Sequence, residues 1–210
     1  IVNPQEGQAV SGYVPLIGTG SKVDLVEYAL DGGGWMTATG TAVWSHVLNS
    51  MSQTEGEHTL SVRGIRNSPY AVGETVTITF DVDQTIPSIL FDETEPNPGS
   101  GDYLSGSVTF IGTATDDNGV SGVDFSVNGG TVWNDATGSS GWSYSFDTTL
   151  VPDGSRTVIA RARDITGLYG TVSIPVVIDN HDPLIEFTAP PAGYVANGVI
   201  NFTGTTTDTV

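Results

Sequence analysis

The chain repeats itself at domain length. The segments "AVSGYVPLIGTG" (9–20), "YLSGSVTFIGTATD" (103–116) and "VANGVINFTGTTTD" (195–208) align without gaps over their shared part. Gly12, Gly106 and Gly198 correspond, as do Gly18, Gly112 and Gly204; the spacings are 94 and then 92 residues. Between the first two copies the match continues. "VEYALDGG" (26–33) answers "VDFSVNGG" (123–130), and "TGTAVWSHVLN" (39–49) answers "TGSSGWSYSFD" (137–147). "EGEHTLSVRGIR" (55–66) answers "DGSRTVIARARD" (153–164), and "VTITFDVD" (76–83) answers "VSIPVVID" (172–179). A solenoid unit of about 20–45 residues leans on its neighbours, so this longer period points to units that each own a core. The expected organisation is one domain over 1–84, a second over 85–180 and the truncated start of a third over 181–210. The joints are "DQTIP" (83–87) and "DNHDP" (179–183). The third copy carries about two strands, which reads as a piece of something longer.

Within the second copy, turn signals separate about seven strand candidates, near 88–92, 104–115, 122–128, 132–136, 141–147, 155–163 and 170–179. Apolar residues alternate in each. Val108, Phe110, Gly112 and Ala114 share a face, as do Val123, Phe125 and Val127, and Trp142, Tyr144 and Phe146. Val158, Ala160 and Ala162 do so in the sixth, and Val172, Ile174, Val176 and Ile178 in the last. Period two with polar residues between describes sheets wet on one side, and two such sheets must close face to face. The expected fold is all-β: tandem immunoglobulin-like or fibronectin-III-like β-sandwiches of about seven strands. Pro175 places the last strand at an edge or bulge, because it cannot donate to a ladder.

Composition narrows function. The net charge is −18, with Lys22, Arg63, Arg66, Arg156, Arg161 and Arg163 as the only Lys and Arg residues. Such a surface repels phosphate backbones and anionic lipid headgroups, which excludes nucleic acid and electrostatic membrane binding. No apolar run is long enough to span a bilayer as a helix. Cysteine is absent, so disulfides, thiolate metal sites and cysteine nucleophiles are excluded.

The pattern "SG.V.F.GTATDD.GVS.V.FSVNGG…WSY.FDTT…DGSRTV.ARA.D..G…V.ID…P.I" resembles the bacterial immunoglobulin-like (Big) repeat. The resemblance covers nearly the whole chain and is closest in the second copy. It implies tandem modules of large secreted or cell-surface bacterial proteins, among them adhesins and multidomain carbohydrate-active enzymes. The function expected from it is a non-catalytic stalk module supporting adhesion. The alternative is a ligand- or glycan-binding accessory module of a secreted carbohydrate-active enzyme. Its expected partners are neighbouring repeats, a host or glycan ligand, and a second copy paired through the strands of the third domain.

Catalytic constellations fail. His46 takes the slot of Tyr144, His58 that of Arg156, and His181 lies in a joint, so no histidine holds a position unique to one site. No G-x-S-x-G or H-E-x-x-H occurs. Some bacterial surface immunoglobulin-like domains carry a Lys–Asn cross-link, but the second copy has no lysine and Lys22 lies in a loop-like stretch. Trp44 and Trp142 fall in phase with inward residues. Gly18 and Gly112 would leave room for their rings. Trp35 and Trp133 follow glycine turns and are candidates for partial exposure, hence for sugar stacking.

In an immunoglobulin-like sandwich the second-to-third and sixth-to-seventh strand loops share one end, which also receives the preceding chain. That would bring together Asp83, Asp116, Asp117 and Asp164. Converging carboxylates suit a hard cation such as Ca²⁺ at an interdomain joint. The next joint offers Asp179, Asp182 and Asp208, with Asn180 as an amide ligand. Against this, Asp-Asn-Gly stretches are ordinary turn chemistry, and "DDNG" lacks the EF-hand spacing. Both readings stand at this point.

Overall fold

The structure, a computed structural model, describes residues 1–94 and 96–209; Glu95 and Val210, the last residue of the expected third domain, lie outside it. The described residues contain no α-helix, only single 3₁₀ turns at Ser50–Ser52 and Thr148–Leu150. By compactness the chain divides into two units. The first comprises Ile1–Ser88, Thr115–Ser121 and Arg163–Gly170; the second comprises Ile89–Ala114, Gly122–Ala162 and Thr171–Val210.

The first repeat forms β1 (Gln8–Val10), β2 (Tyr13–Thr19), β3 (Leu25–Leu30), β4 (Met36–Thr37), β5 (Thr39–Gly40), β6 (Val43–Asn49), β7 (Gly56–Asn67), β8 (Tyr70–Val72) and β9 (Val76–Val82). One sheet runs β1-β9-β7-β3-β4, with β8 paired to β7; the other runs β2-β6-β5. The second repeat forms β10 (Ser88–Phe91), β11 (Tyr103–Leu104), β12 (Ser107–Thr115), β13 (Val120–Ser126), β14 (Asn134–Asp135), β15 (Thr137–Gly138), β16 (Gly141–Asp147), β17 (Gly154–Asp164) and β18 (Tyr169–Ile178). Its sheets are β11-β18-β17-β13-β14 and β10-β12-β16-β15. After it come β19 (Leu184–Ala189) and β20 (Thr203–Thr207), an antiparallel pair.

Two details differ from the sequence reading. The strand expected over 104–115 is two strands, because the chain changes sheets at Gly106: β11 runs parallel to β18, while β12 is antiparallel to β16. Gly106 has φ 66°, and its counterparts Gly12 and Gly198 have φ 72° and 101°, a backbone region that favours glycine. Pro175 does not lie in an outer strand, since β18 runs between β11 and β17. It is tolerated because β11 covers only Val177 and Ile178; beside Pro175 the Gly101 amide donates to its carbonyl.

The cores follow the alternation. Phe110, Gly112, Ala114, Val123, Phe125, Trp142, Phe146, Val158, Ala160, Ala162, Ile174, Val176 and Ile178 are buried. Val108, Val127, Tyr144 and Val172 are half-buried. In each repeat a tryptophan lies on a glycine of the neighbouring strand, with Gly18 opposite Trp44 and Gly112 opposite Trp142. A Cβ on Gly18 would stand 2.4 Å from Trp44, and one on Gly112 would stand 2.5 Å from Trp142 and 2.1 Å from the Leu90 carbonyl. The missing side chain is what makes room for the indole.

The residue pair that closes each sandwich is also repeated. After β9, the Gln84 side chain donates to the carbonyls of Ser50 and Gln53 at 2.8 and 3.0 Å, while its amide donates to Glu55. After β18, the Asn180 side chain donates to Asp153 and the Thr148 carbonyl at 2.8 and 3.3 Å, and accepts from the Thr148 hydroxyl. A side-chain amide thus ties the last strand to the 3₁₀ turn in both repeats.

Candidate metal centre

Asp83 follows β9, whose pairing with β1 continues through the Asp83 amide to the Val10 carbonyl. Asp116 opens the turn after β12, and Asp164 ends β17. All three belong to the first compact unit. One carboxylate oxygen from each lies within 4.8 Å of the others. Asp83 and Asp164 are buried, Asp116 is half-buried, and Asp117 is exposed and outside the group. The expected quartet is therefore a trio. Neighbouring residues of a tight turn point apart, so only the first of the two aspartates turns inward.

Hydrogen bonds engage one oxygen of Asp116 and one of Asp164, and both oxygens of Asp83. Asp164 Oδ1 accepts from the amides of Thr166, Gly167 and Leu168 and from the Thr166 hydroxyl, at 2.6–3.0 Å. Asp116 Oδ1 accepts from the Asn118 amide at 3.0 Å. Asp83 Oδ1 accepts from the Thr85 amide, and its Oδ2 lies 3.3 Å from the Thr166 hydroxyl, whose single hydrogen it shares with Asp164. The remaining oxygens of Asp116 and Asp164 are buried and have no hydrogen-bond partner. Leaving buried polar atoms unpaired is costly, and bringing carboxylates together adds repulsion. Burial first, and then the charges of Asp164 and Asp116, hold the Asp83 carboxyl above its usual range, against hydrogen bonds from Thr85 and Thr166. An all-oxygen, anionic donor set with free lone pairs fits a hard divalent cation, calcium before softer metals that prefer histidine or thiolate.

The first repeat has no such set, since Arg66 aligns with Asp164 and the loop holding exposed Lys22 replaces "DDNG". The second expected group is corrected more deeply. Asp182 and Asp208 are exposed, and Asp179 gathers instead with Asp153 and His181. Both Asp153 oxygens are already taken, by the Asn180 amide and side chain and by His181 Nδ1 at 2.5 Å. The Asn180 amide leads the interactions that hold the Asp153 carboxyl below its usual range. Asn180 serves the strand closure described above, so this cluster is a hydrogen-bonded cap. Asp153 lies far from the joint in sequence and nothing in its local pattern marks it.

A second feature missed from sequence is His58. Its Nδ1 lies 2.7 Å from Asp31 and its Nε2 lies 2.9 Å from the Thr54 carbonyl, with the Thr54 hydroxyl at 3.4 Å. Acid, imidazole and hydroxyl look like a triad, but both ring nitrogens face acceptors, so the ring is a donor on both sides and not a base. Burial lowers its pKa; the hydrogen bonds to Asp31 and Thr54 and the charges of Asp31 and Asp81 outweigh that and raise it overall. In the second repeat Arg156 donates to the carbonyl of Pro152, the counterpart of Thr54. A cation holds the same turn in both copies. His46 stacks on Tyr28 at 4.6 Å, as Tyr144 stacks on Phe125 at 4.6 Å.

Trp35 and Trp133 are half-covered in the same manner. The Arg63 guanidinium lies 3.9 Å from the Trp35 ring centre and pairs with Glu27; the Arg161 guanidinium lies 4.0 Å from Trp133 and pairs with Asp124.

Two sandwiches with one strand plan, each closed by tryptophan on glycine, define a tandem immunoglobulin-like protein. Residues 94–160, within the second repeat, match the family described as Bacterial Ig domain. The chain shares its fold with the fibronectin(III)-like modules of CbhA from Clostridium thermocellum, at 18% identity and a TM-score of 0.52, over 84% of this chain and 91% of that one. A tetra-tandem repeat in the extending region of a large adhesion protein aligns over 95% of this chain and 60% of that one, at 17% identity and a TM-score of 0.34. An endo-beta-1,4-mannanase from Thermotoga petrophila aligns over 47% of this chain and 21% of that one, at 18% identity and a TM-score of 0.39. At those scores the last two carry no weight. No curated protein matches the chain.

Proposed function

We propose that the chain is a non-catalytic structural module of a large exported bacterial surface protein. In this reading tandem immunoglobulin-like domains over 1–84 and 85–180, with a third beginning at 181, form part of a stalk that supports adhesion. Asp83, Asp116 and Asp164 hold a calcium ion, with carbonyl and water oxygens completing its shell. The observation that carries this reading is the buried convergence of three carboxylates, two of them with an unpartnered oxygen. The ion would tie the exit of β9 to the loops 115–121 and 163–170, replacing mutual repulsion with shared attraction. Domains of the matched family occur in surface and secreted bacterial proteins, which supports the extracellular placement.

The glycan-binding alternative calls for an aromatic surface particular to one copy. The Trp–Arg–carboxylate stack instead occurs in both repeats, with a guanidinium on one face of each ring. That favours packing as the role of Trp35 and Trp133. A calorimetric titration with calcium chloride tests the proposal. One saturable site in the wild type, lost in Asp116→Asn, is expected. Heat of binding unchanged by that substitution would overturn it.

A further inference from the structure

The two smaller sheets share a register but not an outer surface. In the second repeat β12 and β16 turn Ser107, Thr109, Gly141 and Ser145 outward, and the Thr109 and Ser145 hydroxyls meet at 3.0 Å. In the first repeat β2 and β6 put Tyr13, Pro15, Val43 and Val47 at the same places, with Pro15 opposite Val47. Tyr13, Val43 and Val47 are 78%, 67% and 59% exposed, and Pro15 is exposed as well. Four positions that are small or hydroxylated in one copy are aromatic or apolar in the other.

The fold does not require this. The second repeat is built on the polar set, and a Cβ on Gly141, the counterpart of Val43, would meet nothing within 4 Å. Pro15 gives up a backbone donor that Thr109 keeps. Apolar side chains gathered on a solvent face, at a local cost and with no packing gain, mark a contact surface.

Size, charge and border describe the occupant. Two strands of seven residues present about 24 Å by 10 Å, well below the roughly 800 Å² per partner of a stable protein pair. Ile17, Thr19, Ser45 and Asn49 complete the face, so nothing turned outward on β2 or β6 is charged, in a chain of net charge −18. Two such chains repel each other, whereas a neutral ligand is not opposed. Asn3, Gln8 and Ser11 line a groove that borders Tyr13 and Pro15. An apolar platform with a few polar groups at its rim is the makeup of a small-ligand site, and a sugar ring offers it a CH face and peripheral hydroxyls. We propose that the outer face of β2 and β6 binds a neutral, extended glycan with equatorial linkages. Its rings lie on Tyr13 and on the Pro15–Val47 pair, and its hydroxyls meet the groove at Asn3 and Gln8.

The test titrates the isotopically labelled full chain with cellohexaose, followed by nuclear magnetic resonance. Saturable amide shifts centred on residues 13–19 and 43–49 are expected, with 107–113 and 141–147 unmoved. Maltohexaose, whose axial linkages curl the chain, should shift them far less. The double variant Tyr13→Ser, Val47→Ser should bind at least about tenfold more weakly. It installs the residues that the second repeat carries at those positions, so the remaining spectrum should be unchanged. No shifts at about 10 mM cellohexaose, equal binding by the variant, equal response to maltohexaose, or shifts centred on the second repeat would each overturn the proposal. So would the same shifts on concentrating the chain without sugar, which would make the occupant a second copy.

Discussion

Single residues decide how each sandwich closes. Gly112 meets both an indole and a carbonyl where its Cβ would be, so Gly112→Val has no rotamer that avoids the clash. Trp142→Ala removes the ring instead and leaves a cavity, at a cost of about 3–5 kcal/mol. Denaturant unfolding should show a lower midpoint for both. His58 makes a different kind of contribution. Its pKa is raised in the folded state, so its stabilisation is complete below the unfolded value of 6.5 and is lost as pH rises through the folded value. Burial opposes ionisation of Asp31, but the Thr59 amide and His58 lower its pKa overall, so its contribution holds above 3.8 and is lost as pH falls through the lower value. The pair therefore stabilises the first repeat between those limits. Thermal melts from mildly acidic to mildly alkaline pH should fall across the His58 titration in the wild type. His58→Arg should flatten that fall, because Arg156 performs the same task without titrating in this range; an unchanged slope would sink the assignment.

Elements were legible where period and chemistry agreed. Alternation from Val108 to Ala114 and from Val172 to Ile178 identified buried faces, and the glycine–tryptophan pairing identified which strands meet. The sheet change at Gly106 was hidden because both halves of 103–115 keep a strand-like pattern; only a backbone angle separates them. Asp83, Asp116 and Asp164 could be placed together because loop order in a sandwich is topological. Which of Asp116 and Asp117 turns inward is a matter of one turn's geometry, and the partners of Asp153 and His58 lie 27 residues away in sequence, beyond any local pattern. The closure by Asn180 belongs to this scale too. Asn180→Ala leaves Thr148 and Asp153 short of partners, and a loss of about 1–3 kcal/mol is expected in urea unfolding. Gln84→Ala should act similarly on the first repeat.

At the scale of the molecule, one strand plan is used twice, while charge is distributed unevenly between the two copies. The first repeat carries Lys22 and Arg66 where the second carries acids, so a cation site is expected once among these residues. The trio is the point at which the fold accepts an electrostatic penalty, and a bound ion is what would convert that penalty into stability. A ligand that binds only the folded state at 100 times its Kd adds about 2.7 kcal/mol. For a domain of this size that corresponds to a rise of about 10–20 °C in melting temperature. The decisive measurement is scanning calorimetry of the wild type and Asp116→Asn, each with calcium and with chelator. Calcium should raise the wild-type transition and leave the variant's unmoved, and in chelator the variant should melt at or above the wild type because one repelling charge is gone. A wild-type transition that ignores calcium, or a variant that melts lower in chelator, would contradict a cation-binding role for Asp83, Asp116 and Asp164.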